Sequence, residues 1–265
     1  MGEVERTDGR TTMEDWLGGI THDLKVCLLF ATRIPVPQAE PVGGAEIARA
    51  SWALPVIGAL VGLAGALVYA VAYRFGLPPF VGANLTLAVT ASLTGCLHED
   101  GLADTADGLF GGRDREARLA IMRDSRIGTY GAAALSLSLL LRIGALASLA
   151  GPASVALALV ASHAAARALL PAFLRLVPRA RSDGLAAEAG RPPQASVALA
   201  ALLGMVAVMI ALGPGRGLAS FLLLLAALAA VRWLCLKAIG GQTGDVAGAL
   251  EQVGEIAVLL AAAVA

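Results

Sequence analysis

Carboxylates are missing from most of this chain. All 20 Asp and Glu residues fall within 3–46, 99–124, 183–188 and 245–255, and the spans 47–98, 125–182 and 189–244 contain none. Charged residues of both signs make up 15% of the sequence, against about 25% in ordinary globular chains. That leaves too little polar surface for a water-soluble fold of this size. Cysteine is scarce too. Cys27, Cys96 and Cys235 lie far apart among apolar neighbours with no C-x-x-C, so neither a disulfide framework nor a zinc site is suggested. The formal net charge is zero, which gives no basic field for nucleic acid. Residues 1–15 hold five acids and no apolar core followed by a small-residue cleavage site. No signal peptide is expected, and insertion is expected to rely on the first spanning helix.

What fills the chain instead is long apolar sequence, 57% hydrophobic overall. Seven segments, near 51–73, 79–98, 128–150, 153–174, 194–213, 217–239 and 246–265, approach the roughly 20 residues that cross about 30 Å of hydrocarbon. Residues 16–34 are apolar but interrupted by His22, Asp23, Lys25 and Arg33, and Pro35, Pro37 and Gly43-Gly44 follow. This reads as a helix lying at the interface. The fold expected is all-α: a polytopic membrane bundle of about seven transmembrane helices plus an N-terminal interfacial helix. It forms a single domain over 1–265, with 1–50 as the N-terminal segment and 98–127 as an acidic loop and helix. Gly58, Gly62 and Gly65 predict close helix contacts. The N-terminus and the even-numbered connections carry 15 Lys and Arg, the opposite connections only Arg74 and Arg216. By the positive-inside rule the N-terminus, the 98–127 loop, the 175–193 loop and the 240–245 turn face the cytoplasm. Arg142, Arg167 and Arg232 fall inside apolar segments, where a cation needs a partner or a function.

The densest chemistry lies in His98–Gly112. Asp100, Asp104 and Asp107 are spaced i, i+4, i+7 and share roughly a 60° arc of a helix. Like charges on one face repel, so a cation is expected to gather them, and hard carboxylate oxygens suit Mg²⁺ or Mn²⁺ better than Zn²⁺. Glu99 is a further ligand candidate beside them. His98, about 160° around the helix, is a candidate proton carrier or substrate hydrogen-bonding group. Arg123 and Arg126, in the run Met122–Gly131, suit bidentate phosphate contacts, and Asp124 either joins the metal group or pairs with an arginine. Gly240-Gly241-Gln242-Thr243-Gly244-Asp245 places an acid after a glycine turn fit to approach phosphate, unless Asp245 is a helix N-cap. Glu251 and Glu255, i and i+4 in an apolar helix, need a cation that Arg142, Arg167 or Arg232 could supply.

Thr32–Pro37, His98–Gly112, Met122–Gly131 and Gly240–Asp245 with Glu255, in this order, resemble the cobalamin synthase family of adenosylcobinamide-GDP ribazoletransferases. The resemblance covers most of the chain. It implies a bacterial-type inner-membrane enzyme that joins adenosylcobinamide-GDP to α-ribazole or its 5′-phosphate with Mg²⁺ and releases GMP. Its partners are then these small molecules and the lipid bilayer, and a homo-oligomer is compatible with it. On the same footing Asp104, Asp107, Asp245 and His98 are the candidate catalytic residues. Arg33, Gly111, Gly112, Arg123, Ser125, Arg126 and Thr243 are candidates for substrate binding, and Glu99, Asp100, Asp104, Asp107 and Asp245 for the metal. Asp245 either completes the metal site or acts as base. Other membrane transferases fit less well. CDP-alcohol phosphotransferases place Ala-Arg where Ala103-Asp104 stands, and aromatic prenyltransferases use the reverse aspartate spacing. A transporter would show repeats and acids near mid-membrane.

Overall fold

The computed structural model describes residues 13–37, 42–181 and 190–264, so residues 1–12 and 182–189, both assigned above to the arginine-rich side, lie outside the described residues. Among the described residues the regular structure is helical, apart from one isolated bridge between Arg179 and Gln242. The elements are α1 (Met13–Ala31), α2 (Gly44–Ala50), a 3₁₀ turn (Ser51–Ala53), α3 (Leu54–Arg74), α4 (Pro79–Thr94), α5 (Leu97–Gly111), α6 (Arg115–Ile121), α7 (Thr129–Ser148), α8 (Pro152–Leu176), α9 (Gln194–Ile239) and α10 (Gly244–Ala263). Five helical stretches are long and apolar enough to cross a bilayer, or six with the α4–α5 pair counted as one crossing. The chain is an all-α, multi-pass membrane protein.

At 46 residues, α9 would run about 69 Å if straight, more than twice the hydrocarbon thickness. It does not run straight. Gly213 leaves the helical region at φ 76°, and Pro214 follows. A Cβ on Gly217 would lie 3.0 Å from the Met209 Cα, whereas residues eight apart in an unbroken helix sit about 12 Å apart. The chain therefore folds back into a tight hairpin, and its two legs match the separate segments expected over 194–213 and 217–239.

The second crossing departs from expectation. It is not one helix over 79–98: α4 stops at Thr94, and α5 leaves it at 90°. Gly95 and Cys96 both take left-handed conformations, φ 65° and 59°. This is costly for the cysteine and breaks the helix. The Arg33 N–H donates to the Leu93 carbonyl at 2.7 Å, and the Arg33 side chain packs over Gly95. The expected interfacial helix is α1. It lies against α2 and α3 through buried Val26, Cys27 and Ala31, and is tied down by Asp23, which accepts from Trp52 Nε1 at 2.8 Å and pairs with Arg49 at 3.0 Å.

Small residues set the helix spacing. A Cβ on Gly58 would meet Arg167 Cδ at 2.9 Å, and one on Gly62 the Leu159 carbonyl carbon at 2.8 Å, so α3 lies directly on α8. Most relevant to function is Gly101 on α5. A Cβ there would be 2.7 Å from the Asp245 carbonyl oxygen and 3.1 Å from Gly248 Cα. With no side chain between them, α5 and α10 touch by backbone.

Candidate active site

The contact at Gly101 brings the aspartates of α5 to the start of α10. The other polar loops are bound to the same end of the bundle. The turn before α10 is strapped to the segment after α8: Gln242 N–H donates to the Pro178 carbonyl at 2.8 Å, and Ala180 N–H to the Gln242 carbonyl at 2.9 Å. From α6, Arg115 donates to the carbonyls of Ile239 at 2.9 Å and Ala180 at 2.6 Å, and Arg118 to that of Ala238 at 2.9 Å. These guanidinium groups satisfy the open carbonyls at the end of α9.

Asp100 is exposed, and Asp104 and Asp245 are partly buried. Asp245 is not the N-cap. Thr243 caps α10 by accepting from Val246 N–H at 3.3 Å, and its hydroxyl also donates to Asp245 Oδ2 at 3.1 Å. Arg181 reaches the same oxygen at 3.3 Å. Asp100, Asp245 and Asp107 all act electrostatically on Asp104, with Arg181 offsetting them. This excess of acid against one arginine is the charge imbalance expected of a cation site. The ligand atoms of these acids do not all fall within 4.8 Å of one another, as those of His163, Glu251 and Glu255 do. Mg²⁺ needs only one or two carboxylates when substrate phosphates complete its shell, so the donor set fits it. Beside Asp100 and Asp245 opens a cavity of about 330 Å³, with Arg179, Arg181 and Thr243 on its wall.

Asp107 is differently placed. Its two oxygens accept from Gly128 N–H at 2.7 Å and Gly131 N–H at 2.9 Å. It therefore clamps the first turn of α7, where helix N–H groups lack internal partners. Gly128 and Gly131 are required here because a side chain would collide with the carboxylate.

A second polar cluster lies deeper between the same helices. His98, the candidate proton carrier, is 4% exposed inside the bundle and also borders the cavity. Its Nδ1 sits 3.4 Å from Arg167 and 3.5 Å from Glu251. Arg142 and Arg167, each 1% exposed, reach Glu255 at 3.2 and 3.0 Å. Arg142 also reaches Glu99 at 3.4 Å, and Arg167 pairs with Glu251. His163 Nδ1 contacts Glu255, and Gln252 joins Glu99 and Glu251. The carboxylates thus receive their cations from Arg142 and Arg167, while Arg232 is exposed and takes no part. Glu99 belongs to this cluster and not to the aspartate face. Sequence reasoning missed His163. The available signal was its i, i+4 spacing to Arg167, which mirrors Glu251 and Glu255.

A family model described as cobalamin-5-phosphate synthase matches residues 23–263. The chain belongs to the cobalamin-5-phosphate synthase family. It is 58% identical over 244 residues to an adenosylcobinamide-GDP ribazoletransferase of Bradyrhizobium diazoefficiens, covering 92% of this chain and 94% of that one. To a protein of the same name from Mesorhizobium japonicum it is 52% identical, over 93% and 94% of the two chains. No solved structure matches it. This cobalamin-5-phosphate synthase family member is therefore an enzyme, a transferase of cobalamin biosynthesis.

The remaining candidates in this family member are dispersed. Arg33 covers the α4–α5 break. Gly112 packs on the Arg118 backbone, at 2.6 Å from an added Cβ to Arg118 N, and Gly111 faces Ile121. Arg126 grips Asp124 in two-pronged fashion, Nη2 to Oδ2 at 2.6 Å and Nε to Oδ1 at 3.0 Å. This pairing holds the Asp124 carboxyl down at about 2. Asp124 is thus an arginine partner, the second of the two roles open to it. Arg123 and Ser125 are exposed in the same loop. The cavity wall carries instead Arg179 and Arg181, which sequence reasoning had counted only towards topology.

Proposed function

We propose that this chain transfers the adenosylcobinamide phosphate group from adenosylcobinamide-GDP to α-ribazole or its 5′-phosphate, forming adenosylcobalamin or its 5′-phosphate and GMP, with Mg²⁺. The observation that carries this reading is the acid-rich mouth of a cavity walled by arginines at one end of the bundle. Asp100, Asp104 and Asp245 would hold Mg²⁺, which when bound supplies positive charge to a diphosphate. Arg179 and Arg181 are suited to grip phosphate oxygens. The ribazole 3′-hydroxyl attacks the corrinoid-side phosphorus, the bond to the GMP oxygen breaks, and the hydroxyl proton leaves to a carboxylate. Asp245 lines the cavity and is held by Thr243 and Arg181. It is placed to accept that proton, or else it completes the metal site. Asp107 follows Asp104 on α5, but its two oxygens are taken by α7, whose start they position.

The whole chain acts as one membrane-embedded domain in the inner membrane, with its active-site end cytoplasmic, as the arginine bias indicates. Reporter fusions at residue 115 and at the C-terminus should report opposite sides, and a shared side would refute this topology. For the reaction itself, purified protein given both substrates should release GMP in a Mg²⁺-dependent manner. Failure to release GMP with Mg²⁺ present would refute the function.

A further inference from the structure

We propose that the cavity beside Asp100 and Asp245 is the pocket of the acceptor nucleoside, with its aromatic base in the apolar half and its ribose toward the aspartates. The assignment rests on the proposed reaction. A volume of about 330 Å³ is at the small end of ligand pockets, which run from about 300 to 1,000 Å³. It admits a nucleoside and excludes a corrinoid carrying GDP.

Two nucleoside parts compete for the space: the guanosine of the donor and the benzimidazole riboside of the acceptor. The wall decides between them. One half is made by Phe30 of α1, Ile47 of α2, Leu54 of α3, and Leu170 and Leu174 of α8. Ser51 is the hydroxyl on this side, and its proton is already given to the Ala48 carbonyl at 2.8 Å. Against these apolar side chains guanine's ring of donors and acceptors would go largely unmet, and buried polar groups left unpaired are strongly disfavoured. A dimethylbenzimidazole ring asks for little more than apolar contact. The polar lining is Asp100, Asp245, Thr243, Arg179 and Arg181, with Gln242 and His98. Ribose hydroxyls and a 5′-phosphate find partners there, and Arg181 Nη1 is buried without one. An acceptor so seated points its sugar at the acids, and the donor's diphosphate approaches from the open mouth.

The test uses purified full-length protein in detergent. Ile47→Asn and Leu174→Gln place polar groups in the apolar half from two different helices, at partly buried positions. Each should weaken α-ribazole binding, and raise its KM, on the order of tenfold. GMP binding and the donor's KM should stay unchanged. With unsubstituted protein, benzimidazole ribosides should displace α-ribazole and guanosine should not. Guanosine displacing it, or polar variants that raise the donor's KM and spare the acceptor's, would overturn the assignment while leaving the reaction standing. Unsubstituted protein that binds α-ribazole but releases no GMP would instead overturn the reaction and leave the pocket supported.

Discussion

Helices α5 and α10 carry two groups of acids that differ in one respect. At the open end, Asp100, Asp104 and Asp245 share Arg181 among them. Deeper in the bundle, Glu99, Glu251 and Glu255 have Arg142 and Arg167, with His98 and His163 alongside. Both groups fall at matching positions, because the Gly101–Gly248 contact sets the two helices in register. In the buried group every acid contacts at least one guanidinium, and these contacts join α5, α7, α8 and α10. At the open end Arg181 pairs with Asp245, and on the proposed function a bound cation would supply the charge that Asp100 and Asp104 need. Carboxylates thus hold the fold in one place and, on the proposed function, a bound ligand in the other.

The largest expected effect is on the paired group. Arg167→Met leaves Glu251 and Glu255 buried and short of a cation, which should cost about 3–5 kcal/mol. Thermal unfolding in detergent should show it, and adding Glu251→Gln should recover part of the loss. An Arg167→Met protein as stable as the original would erase the distinction between the groups. Next, Asp100→Asn or Asp104→Asn should cut turnover on the order of a hundredfold and raise the Mg²⁺ requirement. The melting temperature should hold, since the change removes repulsion. Asp107→Asn falls between the two. An amide can accept only one of the two N–H groups, so stability should drop by about 1–3 kcal/mol. An altered Mg²⁺ requirement in that variant would move Asp107 to the ligand group. The smallest effect belongs to the exposed pair. Arg126→Ala should leave melting unchanged and raise the KM of the GDP-activated substrate. Because Arg126 holds Asp124 below the usual carboxylate range, at about 2, their pairing is present above that range and lost only as pH falls through about 2. No step from it should appear in a rate profile between about pH 5 and 9.

Part of this was legible in the chain. The i, i+4, i+7 aspartates fall on one face because helix geometry is local, and hydropathy located the segments, including both legs of α9 around Gly213. The need of Glu251 and Glu255 for Arg142 or Arg167 followed from the cost of charge in hydrocarbon. What local pattern cannot convey is which faces meet. Glu99 and Asp100 are adjacent, yet one turns to Arg142 and the other to the cavity. His163 joins the buried group through a contact 92 positions away, read from the numbers of His163 and Glu255. Arg179 and Arg181 matter because a bridge to Gln242 carries them to the site, and long-range pairing of that kind leaves no periodic trace.

The break at Gly95–Cys96 bears on how the protein enters its membrane. α4 has no charged residue and can partition into lipid as it leaves the ribosome. α5 carries four acids in 15 residues and neither Lys nor Arg, and a central Asp alone costs about 2.5–3.5 kcal/mol on insertion scales. A rigid continuous helix would have forced both stretches to commit together. Separated by a sharp bend, α5 can wait at the surface until its partners are made. Arg142 follows Glu99 by 43 residues and Arg167 follows His98 by 69, and Glu251 and Glu255 come near the end of synthesis. The acidic helix, translated early, meets the last of its partners only when the final helix has been made.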